Sequence, residues 1–123
     1  MFEVIVRQMF SSAHALRNYH GHTEPLHGHN FQVEVVLTGK RLQNKVKYLV
    51  DFIEVQKALE AIVKPMDHVN LNEMAPFDKE NPSAENIAVF IGQQLAKRWR
   101  VSGVKINSVT VWETSSQAAR YLP

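Results

Sequence analysis

The stretch Leu26-His27-Gly28-His29-Asn30-Phe31-Gln32-Val33-Glu34-Val35-Val36-Leu37-Thr38-Gly39 decides how this chain is read. Phe31, Val33, Val35 and Leu37 recur at a period of two, the mark of a strand with one buried face. Gly39 ends the run. His27 and His29 share the parity of the apolar set, so their rings leave the same face. Gly28 between them reads as backbone freedom that lets the two rings approach. Upstream, Phe2, Val4, Val6 and Phe10 alternate in the same way. If that strand continues without a slip, His14 joins its apolar face. Both apolar faces must turn toward whatever covers the sheet, so three imidazoles reach one side of one sheet edge.

Three neutral imidazoles with an open fourth position are the usual design of a catalytic zinc site. Zinc there polarises a substrate oxygen or sharpens bound water. A bare His-x-His carries little weight alone. His20-Gly21-His22 repeats the pattern inside a glycine-containing loop and reads as solvated. The concentration is what needs a reason: five of the six histidines fall between His14 and His29. The chain has no cysteine, which excludes disulfides, thiolate nucleophiles and zinc–thiolate sites.

Working outward, Asp51-Phe52-Ile53-Glu54 reads as a helix start with the spacing of a capping box. Phe52, Val55, Leu59, Ile62 and Val63 follow at helical spacing, and Pro65 closes the run. A loop from Met66 to Asn81 leads to a second helix opening at Asn81-Pro82-Ser83, with Pro82 suited to its first turn. Its apolar stripe is Ile87, Phe90, Ile91, Leu95 and Trp99. Ser102-Gly103 breaks it. Val104 and Ile106, then Val109 and Val111, mark a third strand whose parity slips, which predicts a bulge near Asn107. A short last strand covers Ala118 to Leu122. The order β-β-α-α-β-β, with the helices grouped in the middle, predicts an α+β fold: an antiparallel sheet with both helices on one face.

At 123 residues, 45% hydrophobic and 21% charged, the chain suits a single domain over 1–123. A formal charge of +2 without a basic stripe argues against nucleic acid as a partner. No apolar run approaches the ~18 residues of a membrane span, and Met1-Phe2-Glu3-Val4 lacks the basic and apolar blocks of a signal peptide. A cytoplasmic protein without a membrane partner is the expectation.

Other polar residues are candidates for chemistry. Asp67 beside His68 could orient the imidazole and raise its basicity, or simply begin a turn after Pro65. Glu113 follows Val109 and Val111 on the inward parity, where an unpaired carboxylate is costly. It could accept two N–H bonds from a guanidine-like edge, as in pterin or guanine recognition, or lie exposed at a strand end. Glu24, three residues before His27, is near the proposed metal or a surface charge. Asp51 is better explained as a helix cap. Arg120 is a candidate phosphate contact.

Several segments, in this order, resemble the 6-pyruvoyltetrahydropterin synthase family: Phe10-Ser11-Ser12-Ala13-His14, Leu26-His27-Gly28-His29-Asn30, Val50-Asp51-Phe52, Asp67-His68 with Leu71-Asn72, Asn81-Pro82-Ser83-Ala84-Glu85-Asn86 and Trp112-Glu113-Thr114. Together they span nearly the whole chain. The resemblance implies a tunnelling fold (T-fold), a four-stranded antiparallel sheet with two helices, assembled as a hexamer of two trimeric barrels. It implies zinc on His14, His27 and His29. It implies that Glu113, assisted by Thr114, anchors a pterin ring, and that Asp67 and His68 belong to a proton relay. The usual substrate is 7,8-dihydroneopterin triphosphate. In trimeric barrels of this kind a pocket often borrows residues from a neighbour, so Glu113 is expected to be able to serve another subunit's metal.

One departure bears on the reaction. The synthases normally carry a catalytic cysteine four residues before the first histidine of the His-Gly-His motif, and that position here is Thr23. A hydroxyl is a far poorer base than a thiolate. Glu24-Pro25-Leu26-His27 instead resembles the subgroup in which a nearby glutamate replaces the cysteine. That subgroup is associated with folate synthesis and cleaves the substrate side chain to 6-hydroxymethyl-7,8-dihydropterin. The expectation is a zinc-dependent pterin lyase of this type, with Glu24 as base. The alternatives are the 6-carboxy-5,6,7,8-tetrahydropterin reaction of queuosine biosynthesis, the 6-pyruvoyl reaction, a non-catalytic zinc- and pterin-binding homologue, and a zinc-binding structural protein.

Overall fold

A computed structural model describes all 123 residues. Four strands form one antiparallel sheet in the order β1-β2-β3-β4: β1 Phe2–His14, β2 His27–Gly39, β3 Val104–Thr114 and β4 Gln117–Tyr121. The first two pair along their whole length, from Phe2 opposite Gly39 to His14 opposite His27. Helices α1 (Phe52–Val63) and α2 (Ala84–Arg98) fill the chain between β2 and β3.

Alternation in the strands places the core. Val4, Val6 and Phe10 of β1, Phe31, Val33, Val35 and Leu37 of β2, and Val109 and Val111 of β3 are buried together with Val55, Leu59, Ile62, Ile87, Ile91 and Leu95 of the helices. Both helices therefore cover one sheet face, as the element order requires. The expected bulge is present: Val36 faces Ser108 and Leu37 faces Ile106, which leaves Asn107 without a partner. Asp51 caps α1 by accepting the Ile53 N–H at 2.9 Å.

Five local expectations are corrected. Phe52 is exposed as the first residue of α1, although it shares the helix face of the buried Val55 and Leu59, and Phe2 is exposed at the free end of β1. Pro82 precedes α2 instead of opening it. Ser83 is the N-cap, its hydroxyl accepting the Asn86 N–H at 3.1 Å. The last strand begins one residue early, because Thr114 pairs directly with Gln117 across the Ser115-Ser116 turn. Gly28 does not use its conformational freedom. It has no positive φ, and a side-chain carbon there would meet only the Ser12 carbonyl at 3.6 Å.

The loop between the helices is not free either. It carries two short 3-10 turns, Lys64–Met66 and Leu71–Glu73. Its middle lies along the outer edge of β1. There the His68 N–H donates to the Ser11 carbonyl at 2.6 Å and the Ala13 N–H to the Val69 carbonyl at 2.9 Å. Edge groups that would otherwise template association are thus paired over this half of β1. No helix is long and apolar enough to cross a membrane.

Candidate metal centre

The ends of β1 and β2 deliver His14, His27 and His29 to one point. The three ring centroids form a nearly equilateral triangle, with separations of 4.7, 4.9 and 5.1 Å. One ligand atom from each lies within 4.8 Å of the others. This is the convergence that strand parity predicted.

The surroundings select which nitrogen is offered. The His14 Nδ1–H donates to the Pro82 carbonyl at 2.7 Å and the His27 Nδ1–H to the Pro25 carbonyl at 2.8 Å. Each carbonyl fixes the tautomer and leaves the Nε2 lone pair free, the outer arrangement typical of metal-bound histidine. The Nε2 atoms of His14 and His29 are buried and have no hydrogen-bond partner. Orphaned buried nitrogens of this kind are rare without a ligand. Burial lowers the His29 pKa below its ordinary 6.5, and the neighbouring Glu113 charge only partly opposes this. The free base that a metal needs is therefore favoured at neutral pH. The donor set, three imidazoles and no thiolate, fits a divalent metal such as zinc.

Two carboxylates flank the triad. Glu24 Oε1 lies 3.9 Å from His27 Nε2. The same oxygen accepts the Leu16 N–H at 2.9 Å, while the Glu24 N–H donates to the Leu16 carbonyl at 3.0 Å. These two hydrogen bonds to Leu16, two residues past β1, fix the carboxylate beside the centre. Glu113 lies 3.9 Å from the Nε2 atoms of both His14 and His29 of its own chain. A second bulge explains its aim: Trp112 faces Ala118 and Thr114 faces Gln117, so Glu113 is the extra residue, and bulges re-aim side chains in this way. Thr114 is exposed and its hydroxyl supports the Ser116 N–H at 3.3 Å.

Asp67 and His68 form a second constellation. Asp67 Oδ1 accepts the Ser11 N–H at 2.8 Å, and Oδ2 meets His68 Nδ1 at 2.9 Å. The Ser11 N–H bond, followed by the His68 contact, holds the Asp67 carboxyl below its ordinary pKa of 3.8. His68 adopts a left-handed φ of 57°, uncommon outside glycine and suggestive of function when the surroundings enforce it. Neither residue joins the three-histidine group. They stand on the outer edge of β1, beside an open cleft of about 510 Å³ lined by Ser11, Ala13, Asn30 and His68 and reached by His29 of the triad. His20 and His22 stay exposed in a tight turn closed by Tyr19 N–H to His22 carbonyl at 2.7 Å. Arg120 donates from Nε to Thr110 Oγ1 at 2.8 Å, also away from the triad.

Sequence reasoning gave no role to the residues that brace this centre. Asn72 bonds the Ala15 N–H and carbonyl through its side-chain amide, at 2.8 and 2.7 Å. Asn81 does the same for Arg17, at 2.8 Å each. The Arg17 guanidinium in turn holds the carbonyls of Asn72, Phe77 and Glu80. The signal was present in the Asn81-Pro82-Ser83 segment. Its three residues respectively pin Arg17, orient His14 and cap α2.

Fold and site together define a class: an antiparallel α+β sheet with a three-histidine centre at the end of its two longest strands. A family model described as 6-pyruvoyl tetrahydropterin synthase matches residues 3–123. The chain is 36% identical over 110 residues to the dihydroneopterin monophosphate aldolase of Pyrococcus furiosus, covering 89% of this chain and 88% of that one. It is 29% identical over 119 residues to the 6-carboxy-5,6,7,8-tetrahydropterin synthase of Aquifex aeolicus, covering 78% and 73%. The solved 6-pyruvoyltetrahydropterin synthase of Plasmodium vivax, in a form with a catalytic glutamate replaced by alanine, superposes with a TM-score of 0.79 at 23% identity over 98% of this chain and 96% of that one. This chain belongs to the 6-pyruvoyl tetrahydropterin synthase family and has its T-fold. It is a pterin-processing enzyme of the lyase type.

Proposed function

We propose that the protein is a zinc-dependent lyase that cleaves the side chain of a 7,8-dihydroneopterin phosphate ester to 6-hydroxymethyl-7,8-dihydropterin. The observation that carries this reading is Glu24, a carboxylate fixed 3.9 Å from His27 in a chain with no cysteine to serve as base. The aldolase activity in the name of the Pyrococcus furiosus relative supports it, as does the catalytic glutamate of the Plasmodium vivax protein.

Zinc held by His14, His27 and His29 would supply Lewis acidity to the side-chain hydroxyls of the substrate. Glu113, with Thr114 beside it, binds the pyrimidine edge of the pterin, a carboxylate accepting two parallel N–H bonds. Glu24 takes the proton of the second side-chain hydroxyl. The bond between the first and second side-chain carbons then breaks. The hydroxyl carbon leaves as an aldehyde carrying the phosphate, and the electron pair passes into the ring imine. His68, held by Asp67, returns a proton to the first carbon, which remains on the ring as hydroxymethyl. Because the dyad lies on the outer edge of β1, a neighbouring copy brings it to the triad in this reading. Assembly of the single-domain chain into a hexamer of two trimeric barrels belongs to the same proposal.

The test is product identity. Zinc-loaded protein is incubated with dihydroneopterin triphosphate and, separately, with the monophosphate. The expected products are hydroxymethyldihydropterin and a phosphorylated glycolaldehyde. Preference between the two substrates fixes the number of phosphates. A 6-carboxy or 6-pyruvoyl pterin would replace the cleavage reading by one of the synthase reactions. Binding without turnover would leave a non-catalytic pterin protein.

A further inference from the structure

At the end of the sheet remote from the histidines, β2 ends beside the start of β3, with Gly39 opposite Val104. Thirteen-residue strands at ~3.3 Å per residue place this end ~40 Å from the metal centre. The chains meet closely there. A side-chain carbon on Gly39 would stand 2.7 Å from the Gly103 carbonyl and 2.6 Å from Leu49. Gly103 turns with φ 76°. This approach draws Lys40-Arg41, just past β2, beside Ser102 to Lys105. The result is a cleft of about 680 Å³ lined by Met1, Thr38, Gly39, Lys40, Arg41, Ser102, Gly103, Val104 and Lys105, within the size range of small-molecule sites.

The cleft has an uncompensated positive charge. Lys40, Arg41 and Lys105 line it and no carboxylate does. None of the three makes an ion pair or a side-chain hydrogen bond in the protein; the five ion pairs all lie elsewhere. Glu3, which faces Thr38 in the β1–β2 register, accepts instead from Asn107 at 3.4 Å. The backbone N–H groups of Lys40, Arg41, Ser102 and Gly103 also donate to no protein carbonyl. Like-signed charges gathered in a concave surface focus a field on an anion. Free amides beside a glycine turn add donors of the kind that cradle phosphate.

We infer that this cleft is a second ligand site, separate from the metal centre, which binds a small polyphosphate anion. Three cations match the charge of a pyrophosphate or triphosphate group, and Gly103, with open space where a side chain would stand, lets its oxygens approach the backbone. The site is independent of the reaction proposed above.

The probe is inorganic tripolyphosphate, titrated calorimetrically into zinc-loaded protein at moderate salt, with amide shifts followed by NMR. The expected result is saturable binding with shifts centred on residues 39–41 and 102–105. The triple variant Lys40→Ala/Arg41→Ala/Lys105→Ala should lose at least ~10-fold in affinity, because charge-assisted contacts dominate such sites. All three residues are exposed, so the fold should survive, and Lys40→Arg/Lys105→Arg should retain binding as a check. His29→Ala should bind tripolyphosphate normally. Absence of binding at millimolar probe would overturn the inference. So would binding lost in His29→Ala but kept in the triple variant, which would assign the anion to the metal centre. Affinity for single-stranded oligonucleotides that grows with their length and exceeds that for tripolyphosphate would also overturn it, marking a nucleic-acid surface in place of a small-anion cleft.

Discussion

Glu24 and Glu113 stand equally far from the histidine nitrogens, at 3.9 Å, yet their anchoring differs. Glu24 is tied to Leu16 through both its side chain and its backbone. Glu113 has no hydrogen-bond donor of its own and rests on a bulge. A fixed carboxylate suits proton transfer, because the base must hold its position as the proton leaves. A carboxylate with both oxygens free suits recognition of a planar N–H edge. Glu24→Gln keeps an oxygen for the Leu16 N–H and removes only the basicity. Zinc content should stay at one per chain while kcat falls by roughly 10²–10⁴. Full activity would remove Glu24 from the chemistry. Glu113→Gln should also keep the metal but raise KM or abolish pterin binding. Loss of zinc in that variant, measured by atomic absorption, would instead make Glu113 a ligand and close the vacancy on which the lyase reading depends.

At the scale of elements, the segment from Asp67 to Asn72 behaves as a short additional edge for β1, and Asp67 is its first clasp. The folded carboxyl titrates below 3.8, chiefly because it accepts the Ser11 N–H. A depressed folded pKa adds stability that is complete above the unfolded value and is lost as pH falls through the folded one. Wild-type stability should therefore decline from about pH 5 downward partly through this group, and Asp67→Asn should flatten that part of the profile. Equal acid slopes in urea denaturation of the two proteins would show that the clasp contributes nothing. Ser83→Ala, which strips the cap of α2, should cost about 1 kcal/mol at any neutral pH, and an unchanged denaturation midpoint would contradict the cap. These elements also show what the sequence makes legible. Strand parity placed His14, His27 and His29 on one face because β1 and β2 run thirteen residues without a slip, and the break at Asn107 announced its own bulge. The bulge at Glu113 was silent, since it preserves inward parity while changing the pairing partner. The edge docking of Asp67–His68 and the clamps of Asn72 and Asn81 were silent too. They join residues more than fifty positions apart through side-chain amides and carboxylates, which no periodicity encodes.

At the scale of the molecule, the two halves of the proposed machinery point in different directions. The triad occupies the helix-covered face of the sheet, while His68 stands on the outer edge of β1, beside a cleft that only His29 of the triad reaches. If one active site needs both, either the substrate reaches around the edge strand or separate copies contribute the two parts. Symmetric assembly makes the second arrangement natural, because every copy then offers its triad to one neighbour and its dyad to another. Subunit mixing separates the cases. His29→Ala and His68→Ala proteins should each be inactive as pure assemblies, the first for want of metal and the second for want of its acid. If the two are dissociated, combined in equal amounts and reassembled, random pairing gives about one quarter of the sites an intact triad beside an intact dyad. Activity should therefore return to about a quarter of the wild-type value per site. If each site is built within one chain, every site keeps one lesion and no activity returns. The same zero would follow from subunits that fail to exchange, so exchange is measured on the same sample by native mass spectrometry of isotopically distinct chains. Mixed assemblies without activity would then place the whole reaction within a single copy.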